Sequence, residues 1–126
     1  VPFLSAALDA GLGRGRRVTL VSVFSTTMWL HMHLGDAAFY AWLGYVCSRA
    51  DHVLIEPQPK RCYTAANKRL RKMGRPQVDL RGLKELEGVE SRIEETVLKS
   101  GFEKVSRAEE AGEGKRTEWG RKIMLF

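Results

Sequence analysis

The stretch LDAGLGRGRRVTLVSVF, residues 8–24, sets Gly11, Gly13 and Gly15 at alternate positions directly in front of an apolar segment. A nucleotide cradle needs other surroundings. It takes a strand before the glycines, which make the tight turn, and a helix right after them, whose N-terminus receives the phosphate. Here the residues ahead of Gly11 repeat at helical spacing (Phe3, Leu4, Ala7, Leu8), following a proline suited to a first turn. Val18, Leu20, Val21, Val23 and Phe24 then make a near-continuous, β-branched run. That is the pattern of a buried parallel strand over Arg17–Phe24. No length remains between the two for a helix, so the glycines read as a helix end running into a flexible basic loop.

Working outward from that strand, STTMWLHMHLGD reads as a polar-aromatic turn. The next segment carries Phe39, Trp42, Leu43 and Val46 at i, i+3, i+4 and i+7, an amphipathic helix with Asp36 as its N-cap. HVLIEPQP predicts a second strand, stopped by Pro57 and Pro59, which cannot continue a ladder. CYTAANKRLRKMG predicts a helix with Tyr63, Ala66 and Leu70 on its apolar side and Gly74 at its end. In GVESRIEETVLKSGF, Val89, Ile93 and Val97 form a helical stripe, Ser91 and Glu94 fit a capping box, and Gly101–Phe102 suit a Schellman stop. FEKVSRAEE and RKIMLF read as closing strands of an antiparallel hairpin. The alternation predicts an α/β fold, a doubly wound sheet ending in that hairpin, as a single domain over residues 1–126.

Composition narrows the function classes. With 21 Lys and Arg against 15 Asp and Glu, the chain carries a formal charge of +6, which favours a polyanionic partner. The charge is concentrated: Lys60, Arg61, Lys68, Arg69, Arg71, Lys72 and Arg75 fall in one stretch with no acid. Such a run is either a solvated helix face or a phosphate-backbone contact, and its place just after the second strand's loop favours the contact for Lys60, Arg61, Arg71 and Lys72. Cys47 and Cys62 have neither metal-ligand spacing nor the density of a disulfide framework, so they read as small buried hydrophobes in a reducing compartment, and zinc is not expected. No apolar run reaches the ~18 residues that span a bilayer. A soluble intracellular chain without a membrane partner, nuclear or cytoplasmic, is expected.

The most specific signals sit after the two strands, where open α/β sheets place their ligands. Ser25-x-Thr27-Met28-Trp29-x-His31, Gly35-Asp36, Glu56-Pro57-Gln58-Pro59 with Cys62-Tyr63, the run RLRKMG and the closing Thr117-x-Trp119-x-Arg121 resemble the bicoid-interacting-3 family of RNA methyltransferases. The likeness is greater to the branch acting on 5′-monophosphate ends and runs from about Phe3 to Phe126. Family members are Rossmann-like S-adenosylmethionine enzymes with seven strands. The resemblance implies that this chain holds the equivalents of the fourth to seventh, the carboxyl-terminal half of the catalytic domain. The true glycine loop and the acid that holds the cofactor ribose would belong to the absent amino-terminal half.

Residue by residue, the resemblance implies that Phe24 and Ser25 lie against S-adenosylmethionine and that Thr27, Trp29 and His31 face the methyl-transfer pocket. It implies that Glu56 and Gln58 shape a loop facing the phosphate at the 5′ end of the RNA. Read from the residues alone, Trp29 is equally a core anchor at a strand-to-helix turn, His31 a hydrogen-bonded histidine beside an apolar run, and Glu56 a buried charge holding a loop. Tyr63 belongs to the core with a polar tip, and His33 and His52 are incidental. Lys60 stands where the family usually has Trp, and His33 where it has Asn. A rival from another class is a non-catalytic RNA-binding or partner module that keeps half of the sheet. Methyl transfer to a phosphate oxygen uses a nucleophile that is already anionic, so positioning, more than a general base, is expected to supply the help.

Overall fold

The β-branched run VTLVSVF forms β1, Val18–Phe24, and ADHVLIE forms β2, Ala50–Glu56, paired in parallel from Val18↔Ala50 to Phe24↔Glu56. The computed structural model describes Ala10, Gly13 and residues 16–105 and 121–126. The helix expected over Phe3–Gly11 lies outside the described residues except for Ala10. β3, Met124–Leu125, joins the other side of β2 antiparallel, giving a mixed sheet in the order β1-β2-β3. The closing segment thus pairs with β2. Of its expected hairpin partner, residues 102–105 form no strand and touch β3 through one backbone bond, Val105 N–H to Leu125 O at 2.8 Å, and residues 106–120 lie outside the described set.

Among the described residues the helices that accompany the sheet are α1 Thr27–Leu34, α2 Asp36–Ser48, α3 Lys60–Lys72 and α4 Val89–Lys99. Two short 3₁₀ turns, Leu80–Gly82 and Leu86–Gly88, lie between α3 and α4. The core is a continuous cluster in which Val23 of β1 and Val53 and Ile55 of β2 meet Met28, Met32, Phe39, Leu43, Tyr63, Ile93 and Val97 from the helices, with Met124 and Phe126 closing it. Among the described residues no helix is long and apolar enough to cross a membrane.

Three local expectations are corrected. The segment read as a turn is helix α1. Its apolar residues surround the helix without forming a stripe, so periodicity hides it, while Thr27, Met28, His31 and Met32 are the ones buried. Asp36 is the first residue of α2, not its N-cap. Gly35, at φ +81°, makes the corner between α1 and α2 and accepts the Phe39 amide at 3.0 Å, which leaves the Asp36 carboxylate for other partners. Ser91 lies inside α4, because the 3₁₀ turn Leu86–Gly88 runs straight into Val89. Glu94 instead pairs with Lys104 at 3.1 Å. The stripe Val89, Ile93, Val97 is buried as read, and Gly101, at φ +97°, closes α4 by donating to Leu98 O.

At the amino ends of the strands, two arginines hold backbone. Arg17 donates to Ser48 O and Ala50 O at 2.8 and 2.7 Å and pairs with Asp51 at 3.0 Å. Arg49 donates to Arg16 O and Gly13 O, both at 2.6 Å. The described part of the glycine run is therefore tied to the start of the sheet, with Gly13 at φ +85°, a conformation that favours glycine.

Candidate functional site

β1 and β2 end side by side, and their carboxyl ends gather most of the residues that the sequence singled out. Ser25 leaves β1 at φ +52°, a left-handed conformation that costs a non-glycine residue and is held by the groups around it. Its hydroxyl donates to Glu56 Oε1 at 3.1 Å and accepts from Arg121 Nη1 at 3.0 Å. Arg121 also meets Glu56 Oε1 at 3.2 Å. The Glu56 carboxylate is buried, so this pair and the hydroxyl compensate a charge that would otherwise be costly there. The arginine arrives from the chain's last segment, 65 residues beyond Glu56.

The EPQP loop does a second task. Buried Gln58 accepts the Met28 amide at 2.9 Å through Oε1, and its own backbone N–H lies 3.4 Å from the Thr27 hydroxyl. Early amides of a helix lack intrahelical partners. α1 has no side-chain cap from its own N-cap residue, Thr26, whose hydroxyl turns back to Phe24 O at 2.6 Å. The loop after β2 thus caps the helix after β1.

His31 has no exposed surface, and both ring nitrogens are engaged: Nδ1 lies 2.9 Å from the Tyr63 hydroxyl and Nε2 2.6 Å from Asp36 Oδ1. The ring stacks on Phe39 at 4.7 Å. Burial lowers the His31 pKa against the opposing pull of Asp36. The neutral ring with Nε2–H donating to Asp36 and Nδ1 accepting from Tyr63 satisfies every group. Burial alone would raise Asp36, but the hydrogen bonds from His31 and from the Lys84 amide (2.9 Å) outweigh it and hold the carboxyl below its ordinary value. Burial pushes the Tyr63 phenol well up.

Of the residues expected at the pocket, Thr27 and His31 are therefore enclosed, whereas Trp29 is 36% exposed and Phe24 is 42% exposed. Ser25, Thr27, Glu56 and Gln58 are brought into one hydrogen-bonded group, and His31 into a neighbouring one. Lys60 pairs with Glu87 of the second 3₁₀ turn. Arg61 at the start of α3 and Arg71 and Lys72 at its end are exposed. His33 donates to Trp29 O at 2.8 Å and His52 lies 3.3 Å from Phe126 O. The roles of Arg121 and Asp36 were not read from the sequence. For Tyr63, a phenol on a helix's apolar side needs a buried partner, and that was the available signal. For Arg121 none was available, since its partner lies so far off in sequence.

The sequence profile of the Bicoid-interacting protein 3 (Bin3) family matches residues 18–126. A zebrafish (Danio rerio) protein named pre-miRNA 5′-monophosphate methyltransferase is 43% identical over 76 residues, 59% of this chain and 30% of the relative. The Xenopus laevis protein of the same name is 46% identical over 55 residues, 44% of this chain and 22% of the relative. A human RNA 5′-monophosphate methyltransferase is 46% identical over 50 residues, 40% of this chain and 17% of the relative. The chain thus spans less than a third of the length of these relatives.

Proposed function

The chain belongs to the Bicoid-interacting protein 3 family, and on that premise we propose that it is the carboxyl-terminal part of an S-adenosylmethionine-dependent methyltransferase that methylates the 5′ phosphate end of RNA. The observation that carries this reading is the convergence of Ser25, Glu56, Gln58 and Arg121 at the carboxyl ends of two adjacent parallel strands, where open sheets bind ligands. The names of the relatives supply the reaction and the substrate class. In this reading β1 and β2 are the fourth and fifth strands of the sheet, and β3 the last. In the same reading the glycine loop and the ribose-holding acid belong to the amino-terminal half of the domain, not to the Gly11–Gly15 run.

The residues present fit one flank of the cofactor. The exposed Phe24 ring offers a flat apolar face beside Ser25, whose hydroxyl is oriented by Glu56 and Arg121. Bound there, S-adenosylmethionine supplies an electrophilic methyl group. The chain's own contribution is placement. Gln58 fixes the first turn of α1, and with it Trp29, whose exposed ring can stack on the terminal nucleotide. His31, neutral and enclosed, anchors α1 to α2 and α3 through Asp36 and Tyr63. It is a positioning residue, which agrees with a nucleophile that needs no base. Thr27 acts likewise through Gln58, and Glu56 acts through Ser25 and Arg121.

The test is transfer of a labelled methyl group from S-adenosylmethionine to a 5′-monophosphorylated RNA by the protein that contains this chain. The same RNA without its phosphate serves as the control. Transfer that depends on the phosphate supports the reading; equal transfer to both RNAs, or to neither, overturns it.

A further inference from the structure

We propose that the far end of α3 docks the phosphate backbone of an RNA stem, about one helix length from the carboxyl-end cluster. The proposal rests on the reading of RNA as substrate and adds where the body of that RNA lies. α3 starts at Lys60, directly after the EPQP loop, and its 13 residues carry its end about 20 Å away. The basic run divides along this length. Lys60, nearest the loop, is paired with Glu87. Lys68, Arg69, Arg71, Lys72 and Arg75 are all exposed, and none has an ion pair with a carboxylate among the described residues.

The far end is a built surface. Gly74, at φ +68°, donates to Arg71 O at 3.0 Å, and Arg75 N–H reaches Leu70 O at 2.8 Å, which together make a complete Schellman stop. Asn67 holds the following loop in both directions, donating to Val78 O at 2.7 Å and accepting from Val78 N–H at 2.9 Å. The helix dipole favours cations in a last turn. It does not account for Arg75 beyond the end, or for the lack of any acid from Lys60 to Arg75.

The chemistry of the patch selects its partner. The helix's one aromatic residue, Tyr63, is buried, and the apolar side chain standing among the cations is Met73, 65% exposed. Unpaired bases are held by stacking on exposed rings, of which the described residues of this surface have none, whereas a duplex is held through phosphate and 2′-hydroxyl contacts that need no ring. An RNA with its 5′ end at the carboxyl-end cluster touches the far end of α3 only if it is long enough to span the helix. Binding is therefore length-dependent and indifferent to sequence.

The experiment compares the protein that contains this chain with its Arg71→Gln/Lys72→Gln variant. The probes are a 5′-phosphorylated hairpin of about 16 base pairs and a 5′-phosphorylated trinucleotide, titrated over a range of salt. The variant is expected to bind the hairpin about tenfold more weakly at low salt, with a log–log salt slope flatter by about 1.5, and to bind the trinucleotide as before. An unchanged hairpin affinity, or an equal loss for both RNAs, overturns the docking surface. A circular dichroism spectrum checks the fold, and if the variant fails to fold, Lys68→Gln/Arg75→Gln takes its place with the same outcomes. Removing the 5′ phosphate from the hairpin separates the two claims. If affinity follows the α3 charges but ignores the phosphate, the docking surface stands and the 5′-end reading fails; the reverse pattern overturns the docking surface alone.

Discussion

β1 and β2 are parallel neighbours of seven residues each, both read from sequence as apolar strands, yet they occupy different surroundings. β2 lies between two strands, and Val53, Ile55 and Glu56 along it are buried. β1 pairs only with β2 among the described residues, and Leu20 is 51% exposed on the face that Phe24 shares. The same contrast holds for the loops that follow. The turn after β1 is held at Ser25 by side chains from elsewhere, and the helix after it takes its cap from Gln58, which follows β2. Burial is thus set by a strand's place in the sheet, and the better-buried strand organises the site for both.

The most demanding test sets the two strands against each other in urea unfolding. Ile55→Ala should cost about 2–5 kcal/mol, because a fully enclosed side chain leaves a cavity. Leu20→Ala should cost less than about 1 kcal/mol, because little apolar area leaves contact. Equal costs would mean that β1 is covered in solution. Leu20 and Phe24 on an edge unpaired among the described residues also make β1 the region where the isolated chain would self-associate.

The next test compares the ion pairs at the two ends of the sheet. Arg121→Gln leaves the buried Glu56 carboxylate with Ser25 as its side-chain partner among the described residues and should destabilise by about 3 kcal/mol. Asp51→Asn breaks a half-exposed pair with Arg17 at the amino end, and there a cost below about 1 kcal/mol is expected. If thermal melts ranked the two in reverse, the organising role of the β2 end would be lost.

The cross-strand cap is probed with a smaller effect. Gln58→Ala strands the Met28 amide and should cost about 1–2 kcal/mol. Thr26→Ala, at the formal N-cap, removes no capping bond, so a smaller loss is expected.

The shallowest signature is pH dependence. The pKa of His31 is lowered by burial from 6.5, so below about that value the unfolded chain binds more protons than the folded one. Stability should therefore fall on acidification from about pH 6.5 down through the folded pKa, and be fully present above that window. His31→Gln should flatten this limb. Asp36, held below 3.8, adds a separate loss at lower pH, as its carboxyl protonates. Unfolding free energies measured from pH 7 to pH 5 decide the first point, and an unchanged slope in His31→Gln would show that the histidine is not the group responsible.

Much of this was legible in the sequence because local rules act locally. The β-branched run at Val18–Phe24, the stripe Val89, Ile93, Val97 and the prolines ending β2 each carry their own signal. The reading of the glycine run keeps the strand that directly follows it, while the helix expected before it lies outside the described residues except for Ala10. α1 escaped because a helix apolar on all sides has no stripe to detect, and the Ser91 capping box was outweighed by a 3₁₀ turn that already started the helix.

By itself the sequence determined the α/β class, the basic α3 and the residues that gather after the two strands. Only the tertiary structure decided that His31 is enclosed between Tyr63 and Asp36, that Gln58 caps α1, and that Arg121 completes the Ser25–Glu56 group. The reason is physical. A backbone preference is expressed within a few residues, whereas a buried polar group must be satisfied by whatever the fold brings beside it, and here those partners come from up to 65 residues away.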